Sequence, residues 1–122
     1  MKIKILEQDF SVCKVSDFSE VNLNREFFFV AKTDDENSVV CPTSEVPSNT
    51  TERDDGWRAF RITGQLDFSL IGILARIADI LAKNNIGLFA ISTYNTDYIL
   101  TKSKHFDNAV RLLEENGYRI VE

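Results

Sequence analysis

The spacing of apolar residues in the second half of the chain predicts a regular alternation of strands and helices. Apolar positions recur with a helical period over 70–83 and again over 104–116. Apolar runs typical of strands precede, separate and follow these helices, at 57–63, 86–93, 98–102 and 118–121. The order β-α-β-β-α-β predicts an α+β, ferredoxin-like fold, in which two helices cover one face of an antiparallel sheet.

The first half carries a weaker form of the same pattern. Runs at 10–15 and 27–33 predict strands, and a polar turn at 34–37 leads to a return strand at 38–41. The remaining segments offer at most short helical turns, at 16–23 and 43–46. A hairpin in the middle of each half indicates a degenerate internal repeat, although the two halves show no evident similarity residue by residue.

A polar run at 47–56 separates the halves and predicts a linker or a long surface loop. We therefore expect two domains, a degenerate unit at 1–55 and a complete unit at 56–122. Charge follows the same division. The first unit carries 6 Lys and Arg against 12 Asp and Glu, and the second carries 8 against 7.

Composition excludes several classes of partner. The formal net charge of -5 argues against nucleic acid or an anionic membrane surface as the main partner. The longest nearly apolar run, 70–82, is shorter than the about 20 residues of a membrane span and contains Arg76 and Asp79. The N-terminus shows no signal-peptide pattern, and Cys13 and Cys41 read as buried, reduced thiols. These features predict a cytoplasmic protein.

No pattern in the sequence predicts catalysis, a cofactor or a metal site. Phosphate-binding glycine motifs and a nucleophile elbow are missing. The single histidine, His105, is expected to be solvated or capping. The acidic run at 34–36 lacks the glycine and the spaced ligands of a calcium loop, so it predicts a solvated turn.

The segment 64–72 joins a predicted strand to a predicted helix and is a candidate ligand loop. The free N–H groups at a helix start carry partial positive charge and suit a carboxylate. Gly72 lies away from the apolar face and costs about 1 kcal/mol of helix propensity. Close approach by a ligand or another backbone would explain it, and simple tolerance of glycine in a first turn is the alternative.

The segment 90–97 is the second candidate. Ser92, Thr93 and Thr96 supply more hydroxyl groups than a hairpin turn needs, and Asp97 could bind an ammonium or guanidinium group. Ordinary turn chemistry is the alternative. The predicted fold can bring both segments together. A helix start for a carboxylate beside an aspartate for an ammonium is what a free α-amino acid requires.

Two stretches resemble a known family. WRAFRITGQLDFSLIGIL at 57–74 and ISTYNTDY at 91–98 are similar to the small ACT-domain proteins related to aspartate-kinase regulatory domains. The second-half pattern is also similar to part of the cytosolic arginine sensor upstream of the TOR kinase. The first half fits the family through Val12-Cys13, Phe27-Phe28, Thr33-Asp34-Asp35-Glu36 and Val40-Cys41-Pro42.

The resemblance implies tandem ACT-like units that bind small ligands, typically amino acids, without catalysis. Such units pair side by side or across a dimer, with ligands near the interface. By position, the ligand loop falls on Asp67, Phe68, Ser69, Leu70, Gly72 and Ile73. The facing strand falls on Thr93, Tyr94, Asn95, Thr96 and Asp97.

These features predict a non-catalytic regulatory protein that binds an amino acid and forms a homodimer or docks onto a protein partner. The alternative is a structural interaction module in which exposed sheet edges bind a partner and the ligand site is vestigial.

Overall fold

The computed structural model describes residues 1–63 and 72–121, in which eight β-strands and two α-helices occur. The strands are β1 (Lys2–Ile5), β2 (Phe10–Val15), β3 (Phe29–Lys32), β4 (Asn37–Pro42), β5 (Thr50–Ile62), β6 (Phe89–Ser92), β7 (Asp97–Lys102) and β8 (Arg119–Val121). The helices are α1 (Ile73–Ala82) and α2 (Ser103–Glu115). No helix in the described ranges is long and apolar enough to cross a membrane. The predicted α+β class is confirmed.

The chain forms two compact units whose bounds differ from the predicted ones. The inserted unit is Gln8–Trp57, and the main unit combines Met1–Glu7 with Arg58–Glu122. The first seven residues join the main unit because β1 pairs antiparallel with β5 and parallel with β8. Ile3 of β1 is fully buried. Four alternating residues are too few to predict such a strand from the sequence, since its partners lie far away along the chain.

The main unit has the predicted order of strands and helices, with β1 added. Its strands lie in the order β6-β7-β5-β1-β8. One core joins both helices to the sheet and is built from large apolar side chains, among them Phe60, Ile62, Ile77, Leu81, Phe106 and Leu113. Both helices bury only their apolar faces, as the period of 3.6 residues predicts.

The predicted linker at 47–56 is wrong, because most of it belongs to β5. Val12, Cys13 and Lys14 of β2 lie opposite Asp54, Arg53 and Glu52 of β5. This pairing provides hydrogen-bond partners for the backbone N–H and C=O groups, while residues 51–56 stay exposed. Without a buried face, the strand shows no apolar alternation in the sequence.

The inserted unit retains the strands of the fold without its helices. Its strands lie in the order β3-β4-β2-β5, which matches the order β6-β7-β5-β8 of the main unit once β1 is left aside. Turns occupy the segment between β2 and β3, and a 3-10 turn at Thr43–Glu45 follows β4. The inserted unit is thus a reduced form of the strand arrangement of the main unit.

The two hairpins show that the repeat is real. Every partner pair of β3 and β4 recurs sixty residues later in β6 and β7. Phe29 pairs with Val40 as Phe89 pairs with Leu100, and the last pairs before each turn are Lys32–Asn37 and Ser92–Asp97. Sequence comparison misses this repeat because the register is kept while most side chains differ.

Cys13 and Cys41 are free and buried, on the neighbouring strands β2 and β4. Both pack with Val15 and Val39 in the apolar cluster of the inserted unit. Burial raises the pKa of the Cys13 thiol and raises that of Cys41 to about 12. Both groups are therefore uncharged thiols at neutral pH.

The pairing of β1 predicts that Ile3→Ala destabilises the fold strongly. Ile3 is fully buried, and deleting such a side chain costs about 2–5 kcal/mol. The free energy of unfolding in urea measures this loss. The exposed Lys2 of the same strand is the control, since Lys2→Ala should cost less than about 0.5 kcal/mol. Equal, small effects of both substitutions would contradict the place of β1 in the core.

The raised pKa of Cys41 predicts a loss of stability at high pH. Below the unfolded-state pKa of 9.0, both states hold the proton and the full stability is present. As pH rises from 9.0 toward about 12, the unfolded state loses its proton first and becomes favoured. Urea midpoints measured from about pH 8 to 10.5 should therefore fall more steeply for the wild type than for Cys41→Ala. If the midpoints of the two proteins fell in parallel, the loss of stability could not be assigned to Cys41.

Candidate functional site

The end of β5 and the β6–β7 turn lie side by side in the main unit. The Thr96 hydroxyl donates a hydrogen bond to the carbonyl oxygen of Ile62, at 2.7 Å. Thr96 is 5% exposed, and Ile62 is the last residue of β5. This buried bond fixes the turn next to the point where the chain leaves β5 toward segment 64–71.

The turn itself uses two of the predicted ligand residues for its own structure. The Thr93 N–H donates to the carbonyl oxygen of Thr96 at 2.8 Å, and the Thr93 hydroxyl donates to the same oxygen at 2.9 Å. Tyr94 and Asn95 stand exposed at the tip. Ordinary turn chemistry therefore accounts for the hydroxyl group of Thr93, whereas that of Thr96 bonds to β5.

Asp97 follows the turn as the first residue of β7 and is half-buried. Its Oδ1 accepts a hydrogen bond of 2.5 Å from the hydroxyl of Ser92, its partner across the hairpin. Within residues 1–63 and 72–121, no basic side chain forms an ion pair with Asp97. A carboxylate can accept several hydrogen bonds, so Asp97 retains acceptor capacity for a cationic group.

Gly72 immediately precedes α1 and has a left-handed backbone, with φ of +80°. Its carbonyl oxygen accepts the first helical hydrogen bond, from the N–H of Arg76 at 2.9 Å. A methyl group added here would meet no atom of the described residues within 4 Å. Backbone conformation, rather than close approach of a described neighbour, explains this glycine. The helix accordingly begins at Ile73, later than the sequence predicts.

A cleft of about 360 Å³ opens beside the start of α1, and we call it the main-unit cleft. Among the described residues, those that line it are Met1, Gly72, Ile73, Arg76, Asn116, Gly117 and Tyr118. The exposed Arg76 guanidinium lies 5.9 Å from the centre of the Tyr118 ring. Burial raises the pKa of the Tyr118 hydroxyl, and the charge of Arg76 opposes that shift. Sequence reasoning missed the contribution of Met1 because it missed β1.

The predicted site residues therefore fall into three groups. Gly72 and Ile73 line the main-unit cleft, whereas residues 93–97 lie at the β6–β7 turn and do not line it. Asp67, Phe68, Ser69 and Leu70 lie outside the described residues. A single site formed by all of them stays a prediction.

In the inserted unit, Asn37 stands at the position equivalent to Asp97, and Asn49 bonds to the residues that follow β2. Asn37 corresponds to Asp97 in the repeat, and its Nδ2 donates to the carbonyl oxygen of Ser16, just after β2, at 3.1 Å. Nδ2 of Asn49 lies 3.1 Å from both the carbonyl oxygen and Oδ1 of Asp17. Hydrogen bonds from the hydroxyl and N–H of Ser19 lower the pKa of Asp17. The inserted unit thus has an amide, bonded to its own backbone, at the position where the main unit has the carboxylate of Asp97.

The other candidates from the sequence have structural explanations. The turn at 34–36 is exposed, and the Thr33 hydroxyl accepts hydrogen bonds from the N–H groups of Asp35 and Glu36. His105 is half-buried in the first turn of α2. Over the described ranges, no group of three or more His, Cys, Asp or Glu is placed to hold a metal ion.

Comparison with protein families decides the identity of this fold. The model of the ACT domain matches residues 52–115, slightly more than half of the chain. The chain belongs to the ACT-domain family. The match spans the elements from β5 to α2, which contain the Thr96–Ile62 contact and the start of α1. A search of curated protein sequences gave no significant match.

Solved structures agree with the family. A protein from Agobacterium tumefaciens is 30% identical, with 98% of this chain and 91% of that chain covered and a TM-score of 0.83. Aspartate kinase from Clostridium acetobutylicum is 16% identical over 88% of this chain and 32% of its own, with a TM-score of 0.64. The regulatory subunit of aspartate kinase from Thermus thermophilus is 7% identical over 93% and 95%, with a TM-score of 0.61. The expected relation of this ACT-domain protein to aspartate-kinase regulatory domains is confirmed at the level of the fold.

The left-handed conformation of Gly72 predicts that Gly72→Ala destabilises the protein by about 1–2 kcal/mol, although there is space for the methyl group. Gly87 provides the matched control, because it has no positive φ and equally open surroundings. Gly87→Ala should be neutral or slightly stabilising in urea unfolding. If Gly72→Ala is equally neutral, conformation does not explain this glycine.

Proposed function

We propose that this ACT-domain protein is a non-catalytic regulatory protein that binds a free amino acid in its main unit. ACT domains are regulatory domains that bind small molecules, and the family match covers the main-unit elements concerned. The proposed ligand residues are those predicted from the sequence: Asp67, Phe68, Ser69, Leu70, Gly72, Ile73, Thr93, Tyr94, Asn95, Thr96 and Asp97.

The hydrogen bond from Thr96 to Ile62 is the observation that carries this proposal. It holds the β6–β7 turn beside the end of β5, and the candidate ligand loop at 64–72 begins two residues after Ile62. Both sequence segments singled out for ligand chemistry thus start from one end of the main unit. An amino acid would need this proximity, since its carboxylate and its basic groups are only a few bonds apart.

Two groups would bind opposite ends of the ligand. The free N–H groups at the start of α1 suit the carboxylate, because helix N-termini carry partial positive charge. Asp97 suits an ammonium or guanidinium group. The bond from Ser92 orients Asp97 and leaves further acceptor positions on its carboxylate for the ligand.

A binding role without catalysis fits the chemistry of these residues. The Thr93 hydroxyl is bound within the turn, and no base is placed to activate it among the described neighbours. His105 lies in α2, beyond the far end of β7 from Asp97. Free, buried thiols at Cys13 and Cys41 are typical of a reducing compartment, so we propose a cytoplasmic location.

The alternative is an interaction module, and the edge strand β6 favours it. Within the described part of the sheet, β6 pairs only with β7, and its Ala90 and Ser92 are exposed. An open edge can pair with a second copy or with another protein. Under this proposal the protein forms a homodimer or docks onto a partner, and the ligand site is vestigial.

Thermal unfolding against a panel of the standard amino acids tests the binding proposal. At least one should stabilise the wild type, by about 2.7 kcal/mol at 100 times its dissociation constant. Asp97→Asn should abolish this shift, because it removes the charge that binds the basic group. Asp79→Asn, which breaks an exposed pair with Lys83 at 2.8 Å, should retain it.

The outcomes separate the two functions. The absence of a shift with every amino acid, together with a stable dimer in analytical ultracentrifugation, would favour the interaction module. A shift that survives in Asp97→Asn would contradict the assigned site while leaving amino-acid binding intact.

A further inference from the structure

Tyr118 carries a polar group that the fold itself does not use. The residue lies between α2 and β8, belongs to the core of the main unit and is only 7% exposed. Over residues 1–63 and 72–121, its hydroxyl forms no hydrogen bond. The hydroxyl stays accessible, because Tyr118 lines the main-unit cleft. Polar groups on residues this buried ordinarily have partners, so this free hydroxyl facing a cleft indicates a ligand.

Arg76, at the end of the first turn of α1, is the second group without a partner. Its guanidinium lies 5.9 Å from the centre of the Tyr118 ring, close enough for a cation–π contact. No carboxylate in the described part of the chain forms an ion pair with it. The acidic residue of α1, Asp79, pairs instead with Lys83 at 2.8 Å. The N–H groups of Arg76 are therefore available to a planar anion.

The main-unit cleft favours negative charge throughout its described lining. None of the described lining residues is acidic, and Arg76 is the only one with a charged side chain. The start of α1, at Gly72 and Ile73, adds the partial positive charge of a helix N-terminus. Burial raises the pKa of Tyr118, so its hydroxyl keeps its proton at neutral pH and can donate. A guanidinium, a hydroxyl donor and a helix start thus line one cleft.

The size and the apolar part of the cleft restrict the kind of anion. Its volume of about 360 Å³ lies within the range of small-molecule sites, about 300–1,000 Å³. Ile73 is half-buried, and Met1 is 52% exposed, so both offer apolar surface to a ligand. The flat guanidinium matches a carboxylate, which accepts two parallel hydrogen bonds from it. An anionic head on a short apolar body would use both parts of the cleft.

We propose that the main-unit cleft binds a small organic carboxylate with an apolar body. Arg76 donates two parallel hydrogen bonds to the carboxylate, the Tyr118 hydroxyl donates a third, and the apolar body packs against Ile73. This site goes beyond the proposed amino-acid site. Arg76 and Tyr118 do not belong to that set of residues, although Gly72 and Ile73 belong to both, and no contact with Asp97 is required.

Calorimetric titration of the full chain with isocaproate tests this proposal. Isocaproamide and isohexylamine have the same branched body with a neutral and a positive head, and inorganic phosphate is an anion without an apolar body. Saturable binding of isocaproate, at least tenfold tighter than binding of each of these three, is expected. The reason is that only isocaproate combines charge-assisted hydrogen bonds with apolar contact.

Two substitutions test the donors. Arg76→Gln should weaken isocaproate binding about tenfold or more, because hydrogen bonds between charged groups are the strong ones. Arg111→Gln is the matched control, since it removes an exposed arginine of α2 that pairs with Glu115 outside the cleft lining. It should change the affinity less than twofold.

Tyr118→Phe removes only the hydroxyl and keeps the ring. It should weaken isocaproate binding severalfold without lowering the unfolding temperature, because the hydroxyl has no partner among the described residues. A merely structural role of the hydroxyl would give the reverse. Asp97→Asn should leave isocaproate affinity within twofold, so failure of this site is distinguishable from failure of the amino-acid site.

Four results would overturn the proposal. Lack of saturable isocaproate binding by the wild type would mean that the cleft does not bind such carboxylates. Equal binding of isocaproamide would mean that only the apolar surface is recognised, and equal binding of phosphate would mean an anion site without an apolar part. Equal losses in Arg76→Gln and Arg111→Gln would mean general attraction to positive charge. Full affinity in Tyr118→Phe would remove the hydroxyl from the site.

Discussion

The continuous strand β5 is the constraint on which both units depend. Its residues from Thr50 to Trp57 pair with β2 of the inserted unit, and those from Phe60 to Ile62 pair with β1 of the main unit. The same strand serves as the last strand of one repeat and the first strand of the next. The polar segment of β5 therefore remains extended, because β2 of the inserted unit pairs with it. Backbone hydrogen bonds, rather than side-chain burial, maintain its first half.

The local pattern of apolar residues predicted the helices and strands that bury one face. It failed for strands whose conformation depends only on pairing with other strands. The helix α2 was predicted well because Phe106, Ala109 and Leu113 repeat on one buried face. The strand β1 and the first half of β5 were missed, since the first is short and the second has no buried face. Their conformation depends on partners distant in sequence, and no window of a single sequence contains that information.

The candidate site shows the same division between local and distant causes. The turn at 93–97 was predictable because Asn95 and Asp97 carry turn chemistry in their own sequence. The contact between Thr96 and Ile62, thirty-four residues apart, was not. For Gly72, the sequence left close approach and simple tolerance in a first turn as alternatives, and the left-handed φ gives a third, sufficient reason for a glycine. A glycine alone cannot distinguish these causes, because both require the absence of a Cβ.

The two repeats differ in charge as well as in structure. The main unit has 10 Lys and Arg against 8 Asp and Glu in residues 1–7 and 58–122, so its net charge is small. Under the proposed function, discrimination between ligands at Asp97 would therefore come from directional contacts at short range, where position matters more than total charge. The inserted unit has Asn37 at the register position of Asp97 and carries a net charge of -7 over residues 8–57, from 4 Lys and Arg against 11 Asp and Glu. Attraction there acts over roughly a Debye length, about 8–10 Å at moderate salt, before any contact forms. Raising the ionic strength should therefore reduce the attraction of the inserted unit for cations more than it weakens the proposed amino-acid binding in the main unit.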